Sequence, residues 1–153
     1  MNHSEIKDYS DPLDKLIQEF PAVFQNLDNS SEYSLPIGWY NILYNLCEEL
    51  TPILIEERSK IAEDSEQPLF SVLQIKEKFG GLRFYYMMNT ENRELYNKIQ
   101  RLIDIAEDKS YDTCQITGKP GTLCKKGWHF MTLSEEVRNA QGFEVVNGSK
   151  KFN

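Results

Sequence analysis

Two apolar stripes at helical spacing mark the first part of the chain. The first follows Pro12. Proline suits the first helical turn because an N–H at that position has no partner within the helix and proline lacks one, and Asp11 is a suitable N-cap. The second lies in residues 36–50, and Thr51-Pro52 is predicted to end or kink that helix. The stripes consist of Leu13, Leu16, Ile17 and Phe20, and of Trp39, Ile42, Leu43, Leu46, Cys47 and Leu50.

The pattern changes from helical to alternating after Leu69. Residues 69–75 and 82–88 are rich in aromatic and β-branched side chains, which is typical of strands. They flank Gly80-Gly81, which is predicted to form the two-residue turn of a β-hairpin because glycine accepts positive φ angles. In the second strand, four residues are expected to face one way, namely Leu82, Phe84, Tyr86 and Met88.

A long helix is predicted after the hairpin. Asn89 or Thr90 is expected to cap it, it ends at about Asp108, and it covers one face of the sheet. Its expected buried stripe is Leu95, Ile99, Leu102, Ile103 and Ala106.

The last part of the chain is predicted to form short strands and a short helix. Residues 128–133 are expected to be a strand, Ser134 the N-cap of the helix and Gly142 its end. Residues 143–146 are expected to add a final strand. Near the start of the chain, residues 29–32 are expected to form a loop.

These elements predict one domain of the α+β class. The chain has 153 residues, of which 40% are apolar, so it is long enough to bury a core. Its expected parts are an N-terminal helical extension, a core with an antiparallel β-hairpin packed by a long helix, and a degenerate zinc-knuckle-like β region with a short helix. They span residues 1–35, 36–110 and 111–153.

Charge is distributed unevenly along the chain, whose net charge is −7. Residues 1–64 carry thirteen acidic and four basic residues, a balance of −9, and residues 65–153 have a balance of +2. An acidic chain without a basic run is a poor general binder of nucleic acid, but it suits a basic protein partner. The candidate partner-binding residues are Glu48, Glu49, Glu56 and Glu57. A solvated helix face is the simpler interpretation of these four glutamates.

The predicted hairpin carries basic residues among its aromatic side chains. Lys76, Lys78 and Arg83 lie near Tyr85 and its aromatic neighbours. Such interleaving can bind single-stranded nucleic acid through stacking and phosphate contacts. The alternative interpretation, with aromatic residues in the core and cations on a solvated rim, is simpler.

Three cysteines, Cys47, Cys114 and Cys124, give no even set of disulfide partners. No signal-peptide-like apolar segment follows Met1 and no run reaches the length of a membrane span, so a reducing cytoplasm is the expected location. A metal site would have to use these thiols with His129, but their spacing matches no common zinc motif. Buried structural thiols are the favoured interpretation.

Catalytic chemistry has little support in the sequence. Cys124 and His129 could form a nucleophile–base pair, but local sequence places no carboxylate to orient the histidine. No spacing singles out two carboxylates for acid–base work. We therefore expect no catalytic residue. A hydrolase is a further alternative that would require a cleft, which sequence cannot show.

The chain resembles a family of small uncharacterised bacterial and prophage proteins over about residues 37–137. The words that carry the resemblance are Gly38-Trp39, Ile75-Lys-Glu-Lys-Phe-Gly-Gly-Leu-Arg-Phe-Tyr85, Ala106-Glu107-Asp108-Lys109-Ser110, and Thr113-Cys114 with Gly118 and Pro120-Gly121. Members of that family end with Thr-Cys-x-x-Cys-Gly and Trp…Thr-Leu-Cys-x-x-His. The resemblance implies a structural zinc knuckle.

The implied knuckle has lost most of its ligands in this chain. Cys114 keeps the first position, while Thr117, Ser134 and Val137 occupy the others. Threonine and valine are not zinc ligands, so neither a metal nor another cofactor is expected. The knuckle is then expected to hold its shape by packing of Trp128, Phe130, Leu133 and Val137.

Two functions remain as hypotheses. The first is a non-enzymatic protein-binding module, such as an immunity protein, an inhibitor or an accessory protein of a mobile element, which uses its acidic surface. The second is a phage-type protein that binds single-stranded nucleic acid through the hairpin. Nucleic acid is the less expected partner because the chain is acidic.

Overall fold

The chain folds into α-helices and two small three-stranded sheets. The computed structural model describes residues 12–27, 32–63 and 65–146. The helices are α1 (Pro12–Glu19), α2 (Tyr40–Ser59), α3 (Arg93–Ser110) and α4 (Glu135–Gln141), and a 3₁₀ turn covers Ile37–Trp39. The strands are β1 (Glu32–Tyr33), β2 (Phe70–Lys78), β3 (Gly81–Met88), β4 (Thr122–Lys126), β5 (His129–Leu133) and β6 (Glu144–Val145). The predicted α+β class is confirmed.

The two sheets come from different parts of the chain. The first has the order β1-β2-β3, with β2 and β3 antiparallel and β1 parallel to β2. The second has the order β5-β4-β6 and is antiparallel throughout. The prediction that Glu32 belongs to a loop was wrong, because Glu32 pairs with Gln74 as the first residue of β1. Residues 29–31 and the predicted cap Asp11 lie outside the described residues.

The main core lies between the helices and the inner face of the first sheet. The predicted stripes face it, and Leu102 is only partly buried within them. Complete burial of one large apolar side chain contributes roughly 1.5–3 kcal/mol. The fully buried members of this core include Leu13, Leu16, Trp39, Leu43, Leu50, Leu54, Phe70, Ile75, Leu82, Ile99 and Ile103.

Helix α2 continues through Pro52, so of the two predicted alternatives, an end or a kink, the end at this position was wrong. Proline removes the donor to the carbonyl of Glu48, but both residues lie on the exposed side of the helix. On the turn below, the Thr51 hydroxyl donates to the Cys47 carbonyl at 2.6 Å. Leu50 before the proline and Leu54 after it are both buried, so the two halves of the helix pack on the same core.

The hairpin turn lies one residue earlier than predicted. Lys78 pairs with Gly81, so the two central residues are Phe79 and Gly80, with φ of 53° and 84°. Positive φ at both central residues is typical of a type I′ turn, and the Glu77 carboxylate accepts a 2.7 Å hydrogen bond from Gly80 N. Gly81 serves packing instead, since a Cβ there would lie 2.3 Å from the ring of Tyr111.

Helix α3 begins and ends later than predicted. Its N-cap is Asn92, whose side chain accepts a 3.1 Å hydrogen bond from Leu95 N, while Thr90 accepts one from Asn92 N. The prediction of Asn89 or Thr90 as the cap was therefore wrong. The helix also runs to Ser110, two residues beyond Asp108.

The end of α3 seals the free edge of β3. The Ser110 hydroxyl accepts a 2.9 Å hydrogen bond from Leu82 N, and the Glu107 carboxylate accepts one of the same length from Phe84 N. These two N–H groups point away from β2 and would otherwise be open to pairing with another chain. Burial raises the pKa of Glu107, while the bond from Phe84 N lowers it in part.

The C-terminal region has a second, smaller core of Cys114, Cys124, Leu133 and Phe143. Ser134 caps α4 by accepting from Val137 N, and Gly142 ends it with φ of 75°, both as predicted. The prediction that Trp128 packs in this region was wrong. Trp128 lies in the turn between β4 and β5 and is 95% exposed, because the strand begins only at His129.

The C-terminal region docks on the start of α2. The Trp39 indole N–H donates to the Thr113 carbonyl at 2.9 Å, and Gly38 N donates to the Gln115 carbonyl at 2.8 Å. The backbones approach so closely that a Cβ on Gly38 would lie 2.0 Å from the Cys114 carbonyl oxygen. Only glycine fits at this position.

The same region also docks on the hairpin turn. The buried Thr132 hydroxyl donates to the Gly80 carbonyl at 2.7 Å, and Thr132 N donates to the Gln115 side chain at 2.8 Å. These contacts connect the two cores through satisfied buried polar groups. Among the described residues, no helix combines the length and the apolar character that crossing a bilayer requires.

Replacing Gly38 by alanine should destabilise the protein by about 3 kcal/mol, because the added methyl group overlaps backbone atoms that have little room to move. Gly127→Ala is the matched control. Gly127 has a positive φ of 62° but open space around it, so its cost should be about 1 kcal/mol. Urea unfolding measures both, and equal losses would contradict the close docking of the two backbones.

Candidate functional site

Three of the four predicted glutamates share one face of α2. Glu48, Glu49 and Glu56 are exposed, and at about 100° per residue they lie within about 100° of helix circumference. Glu57 lies on another side, where its carboxylate is half-buried and pairs with Lys60 at 3.0 Å. Among the described residues, Glu48, Glu49 and Glu56 form no ion pair, although Glu56 lies close enough to Lys60 to help raise the pKa of that ammonium. The fourth predicted residue does not belong to this face.

A groove runs beside this acidic face, between α2 and α3. It has a volume of about 200 Å³ and is lined by Asn41, Asn45 and Glu49 on one side and by Ile105 and Lys109 on the other. A wider hollow of about 490 Å³ continues from it past Asn41 and Gly118. The second hollow is lined by Ile37, Tyr40, Ile116, Thr117 and Lys15, among others.

Large apolar side chains stand in the open along these hollows. Ile37 is 64% exposed, and Ile116 and Ile105 are exposed to almost half of their surface. We call this region the α2 surface, defined by Ile37, Glu48, Glu49, Glu56, Ile105 and Ile116. Sequence reasoning missed its apolar part, because Ile37 and Ile116 come together only when the C-terminal region docks on α2.

The four predicted hairpin residues also lie together. Lys76 and Arg83 are direct cross-strand partners on the outer face of the first sheet, and Tyr85 is one pair further along. The Lys76 ammonium lies 5.8 Å from the centre of the Tyr85 ring, and the Lys78 ammonium lies 5.7 Å from that of Phe79. Arg83 is held in part by the Tyr111 hydroxyl, to which it donates at 3.5 Å.

The Cys114 thiol is the centre of the knuckle. Burial raises the pKa of this thiol, but hydrogen bonds to its sulfur outweigh that effect and lower the pKa to about 7. The donors are the Thr117 hydroxyl and the backbone N–H groups of Ser134, Thr117 and Ile116. These donors favour the thiolate form of Cys114.

Thr117 and Ser134 lie beside this sulfur, and Val137 lies on the same small core. Thr117 N lies 3.5 Å from it, Ser134 N donates to it, and Val137 packs against the small core that contains Cys114. Val137 N in turn donates to the Ser134 hydroxyl at 3.4 Å. Hydrogen bonds and packing therefore occupy the positions that a four-ligand site would use.

The other candidate metal ligands lie apart from this centre. Cys47 is buried in the main core, and burial raises its pKa to about 12. Burial also raises the pKa of Cys124, whose thiol donates to the Met131 carbonyl at 3.1 Å. His129 is exposed, with its ring against Phe143. In the described part of the chain, no three side chains of His, Cys, Asp or Glu converge as a metal site would require.

A nucleophile–base pair of Cys124 and His129 gains nothing from this geometry. A catalytic thiol needs a lowered pKa, whereas the Cys124 thiol has a raised one and donates to a backbone carbonyl. Cys114 has the lowered pKa but is completely buried. Neither thiol combines activation with access.

No family model, curated protein or solved structure matches this chain. The family resemblance therefore stays a prediction, and the candidate surfaces are defined by their geometry alone.

The depressed pKa of Cys114 predicts a pH dependence of stability. Because the folded-state pKa is about 7 and an unfolded thiol titrates near about 8.5, this thiol's contribution is present above pH 8.5 and is lost as pH falls through 7. Urea unfolding between these pH values should show a free-energy difference between the wild type and Cys114→Ser that grows with pH. A constant difference would count against the hydrogen-bonded thiolate.

The convergence of the knuckle positions predicts that a metal site can be built there. The triple variant Thr117→Cys, Ser134→Cys and Val137→Cys should retain about one Zn²⁺ per chain after dialysis and melt at a higher temperature with zinc than without it. Adding Cys114→Ser to the triple variant is the control and should weaken retention. Elemental analysis that finds no more zinc in the triple variant than in the wild type would contradict the convergence.

Proposed function

We propose that the protein is a non-enzymatic, cytoplasmic protein-binding module that docks on a basic partner through the α2 surface. The observation that carries this proposal is the set of three unpaired carboxylates, Glu48, Glu49 and Glu56, on one exposed helix face beside open apolar side chains. Neither feature contributes to the fold, because these side chains face solvent.

The apolar part of the surface supports binding and not only solubility. Stable interfaces combine a buried apolar centre with a polar rim that excludes water. Ile37 and Ile116 line one hollow from two elements, and Ile105 lines the groove beside it. A partner that fills these hollows would remove their apolar area from water.

The carboxylates would act mainly on recognition. Exposed charges on the rim of an interface speed the encounter with an oppositely charged partner and disfavour others, while they add little affinity each. Lys15 and Lys109 also line the hollows, so the matching partner surface is basic opposite α2 and need not be basic throughout. This pattern would discriminate between partners of similar size.

Occlusion is the mechanism that such a surface supports. A protein that covers a basic functional patch on its partner blocks that patch without any chemistry of its own. Immunity proteins, inhibitors and accessory proteins of mobile elements work in this way, and we propose that this chain belongs to that functional class. The resemblance to bacterial and prophage proteins is consistent with this assignment.

Charge reversal tests the proposal. The variant Glu48→Lys, Glu49→Lys and Glu56→Lys should lose at least tenfold in partner capture from source cells, because it reverses the rim charge. A matched control reverses three exposed acids elsewhere, Glu66, Glu91 and Glu94, and changes the net charge equally. Quantitative mass spectrometry of the captured proteins measures both variants.

The apolar centre has its own test. Ile37→Ser combined with Ile116→Ser should also weaken capture of the same partner, while circular dichroism remains unchanged because both residues are exposed. If all variants capture the same proteins as the wild type, the α2 surface is not a docking site. If the charge-matched control loses as much partner capture as the α2 variant, net charge alone explains the loss.

A further inference from the structure

A fully open tryptophan stands at the tip of the β4–β5 hairpin. Trp128 is 95% exposed and follows Gly127, whose φ of 62° turns the chain between Lys126 and His129. Tryptophan offers a large flat apolar face on which another ring can stack. It contributes nothing to the second core, because its whole side chain lies in solvent.

The two hairpins meet at Phe79 and Phe130. The rings of Phe79 and Phe130 are 6.4 Å apart in an edge-to-face arrangement, and Phe79 itself is half exposed. Below them, Thr132 donates to the Gly80 carbonyl, which ties the β4–β5 hairpin to the turn between β2 and β3. Phe79 and Phe130 are therefore held in a defined relation to each other, and Phe130 lies two residues along the chain from Trp128.

Lysines lie between the aromatic side chains. Lys78 lies beside Phe79, Lys125 is the cross-strand partner of Phe130, and Lys76 lies over Tyr85. One nearby carboxylate, Glu77, is already used as the cap of the turn. The other, Glu144, is opposite Lys125 in the register, but within the described residues the two form no ion pair.

We propose that this region binds single-stranded nucleic acid. We call it the hairpin surface, defined by Lys76, Lys78, Phe79, Tyr85, Lys125 and Trp128. Bases would stack on Trp128 and Phe79, and the lysines would contact phosphates. The exposed ring of Trp128 together with these lysines is what favours this ligand over an acidic protein segment, which needs the cations but not the exposed ring.

The hairpin surface and the α2 surface lie on opposite layers of the fold. The helices cover the inner face of the first sheet, whereas Lys76 and Tyr85 lie on its outer face. Binding at one surface therefore does not depend on the other, and failure of either assignment leaves the other intact. Duplexes should bind less well, because their bases cannot stack on side chains while they remain paired.

Fluorescence anisotropy with labelled single-stranded 20-mers of deoxythymidine and of uridine tests this proposal on the full chain. Binding should saturate at 50 mM salt and weaken about twentyfold at 200 mM, because three phosphate contacts on a single strand give a slope near −2 in log affinity against log salt. A duplex of the same length should bind at least fivefold more weakly.

Variants at exposed positions locate the site without endangering the fold. Trp128→Ala should weaken binding about fivefold or more, since one stacked base contributes that much. Lys78→Ala and Lys125→Ala should each make the salt slope shallower by about 0.7. The matched controls are Ile37→Ala, an exposed apolar residue of the α2 surface, and Lys98→Ala, an exposed lysine of α3, and both should bind like the wild type.

Three results would overturn the assignment. They are no saturable binding at 50 mM salt, equal binding by Trp128→Ala and the wild type, and tighter binding of polyglutamate than of the single strands. The last result would assign the lysines to an acidic protein partner instead.

Discussion

The close approach of Gly38 to the Cys114 carbonyl is the contact on which the rest of the structure depends. It brings the C-terminal region against the start of α2, where the Trp39 indole donates to the Thr113 carbonyl at 2.9 Å. This contact sets Ile37 beside Ile116 and so creates the apolar half of the α2 surface. Without it the second core, which has four buried apolar residues, would have too little apolar area to hold a fixed place.

The most specific words of the sequence serve the fold. Glu107 and Ser110 seal the edge of β3, Gly81 makes room for Tyr111, and Phe79 with Gly80 forms the turn on which Thr132 docks. Each of these residues makes a defined contact within the fold, so none of their side chains is available for chemistry. A distinctive motif therefore need not mark a functional site as a whole. The α2 surface lies largely outside these words, and the hairpin surface uses exposed residues of one of them, such as Lys76, Lys78 and Tyr85.

Local signals predicted much of the fold, and contacts distant in sequence account for what they missed. Ser134 begins α4 as its N-cap and Gly142 ends it. Both roles follow from the residue type, so they could be predicted from position in the sequence alone. The hairpin turn was misplaced by one residue because Phe79 adopts a positive φ, which only tertiary contacts make acceptable for an aromatic residue. Trp128 was assigned to packing because an apolar residue before a strand has no local signal of exposure. Three of the four candidate glutamates lie together on one face of α2. Glu57 lies on another side of the helix, where its side chain is half-buried and pairs with Lys60.

The C-terminal knuckle docks on Gly38 and Trp39, and we propose that this docking holds its shape without metal. Amide hydrogen exchange on the full chain after dialysis against a chelator measures this directly. The N–H group of Gly38 donates across the junction to the Gln115 carbonyl, and those of Gln115 and Thr132 are hydrogen-bonded within the knuckle. All three should be protected to a similar degree as those of β2. Exchange of these three amides at the rate of an open chain, with β2 still protected, would contradict the account.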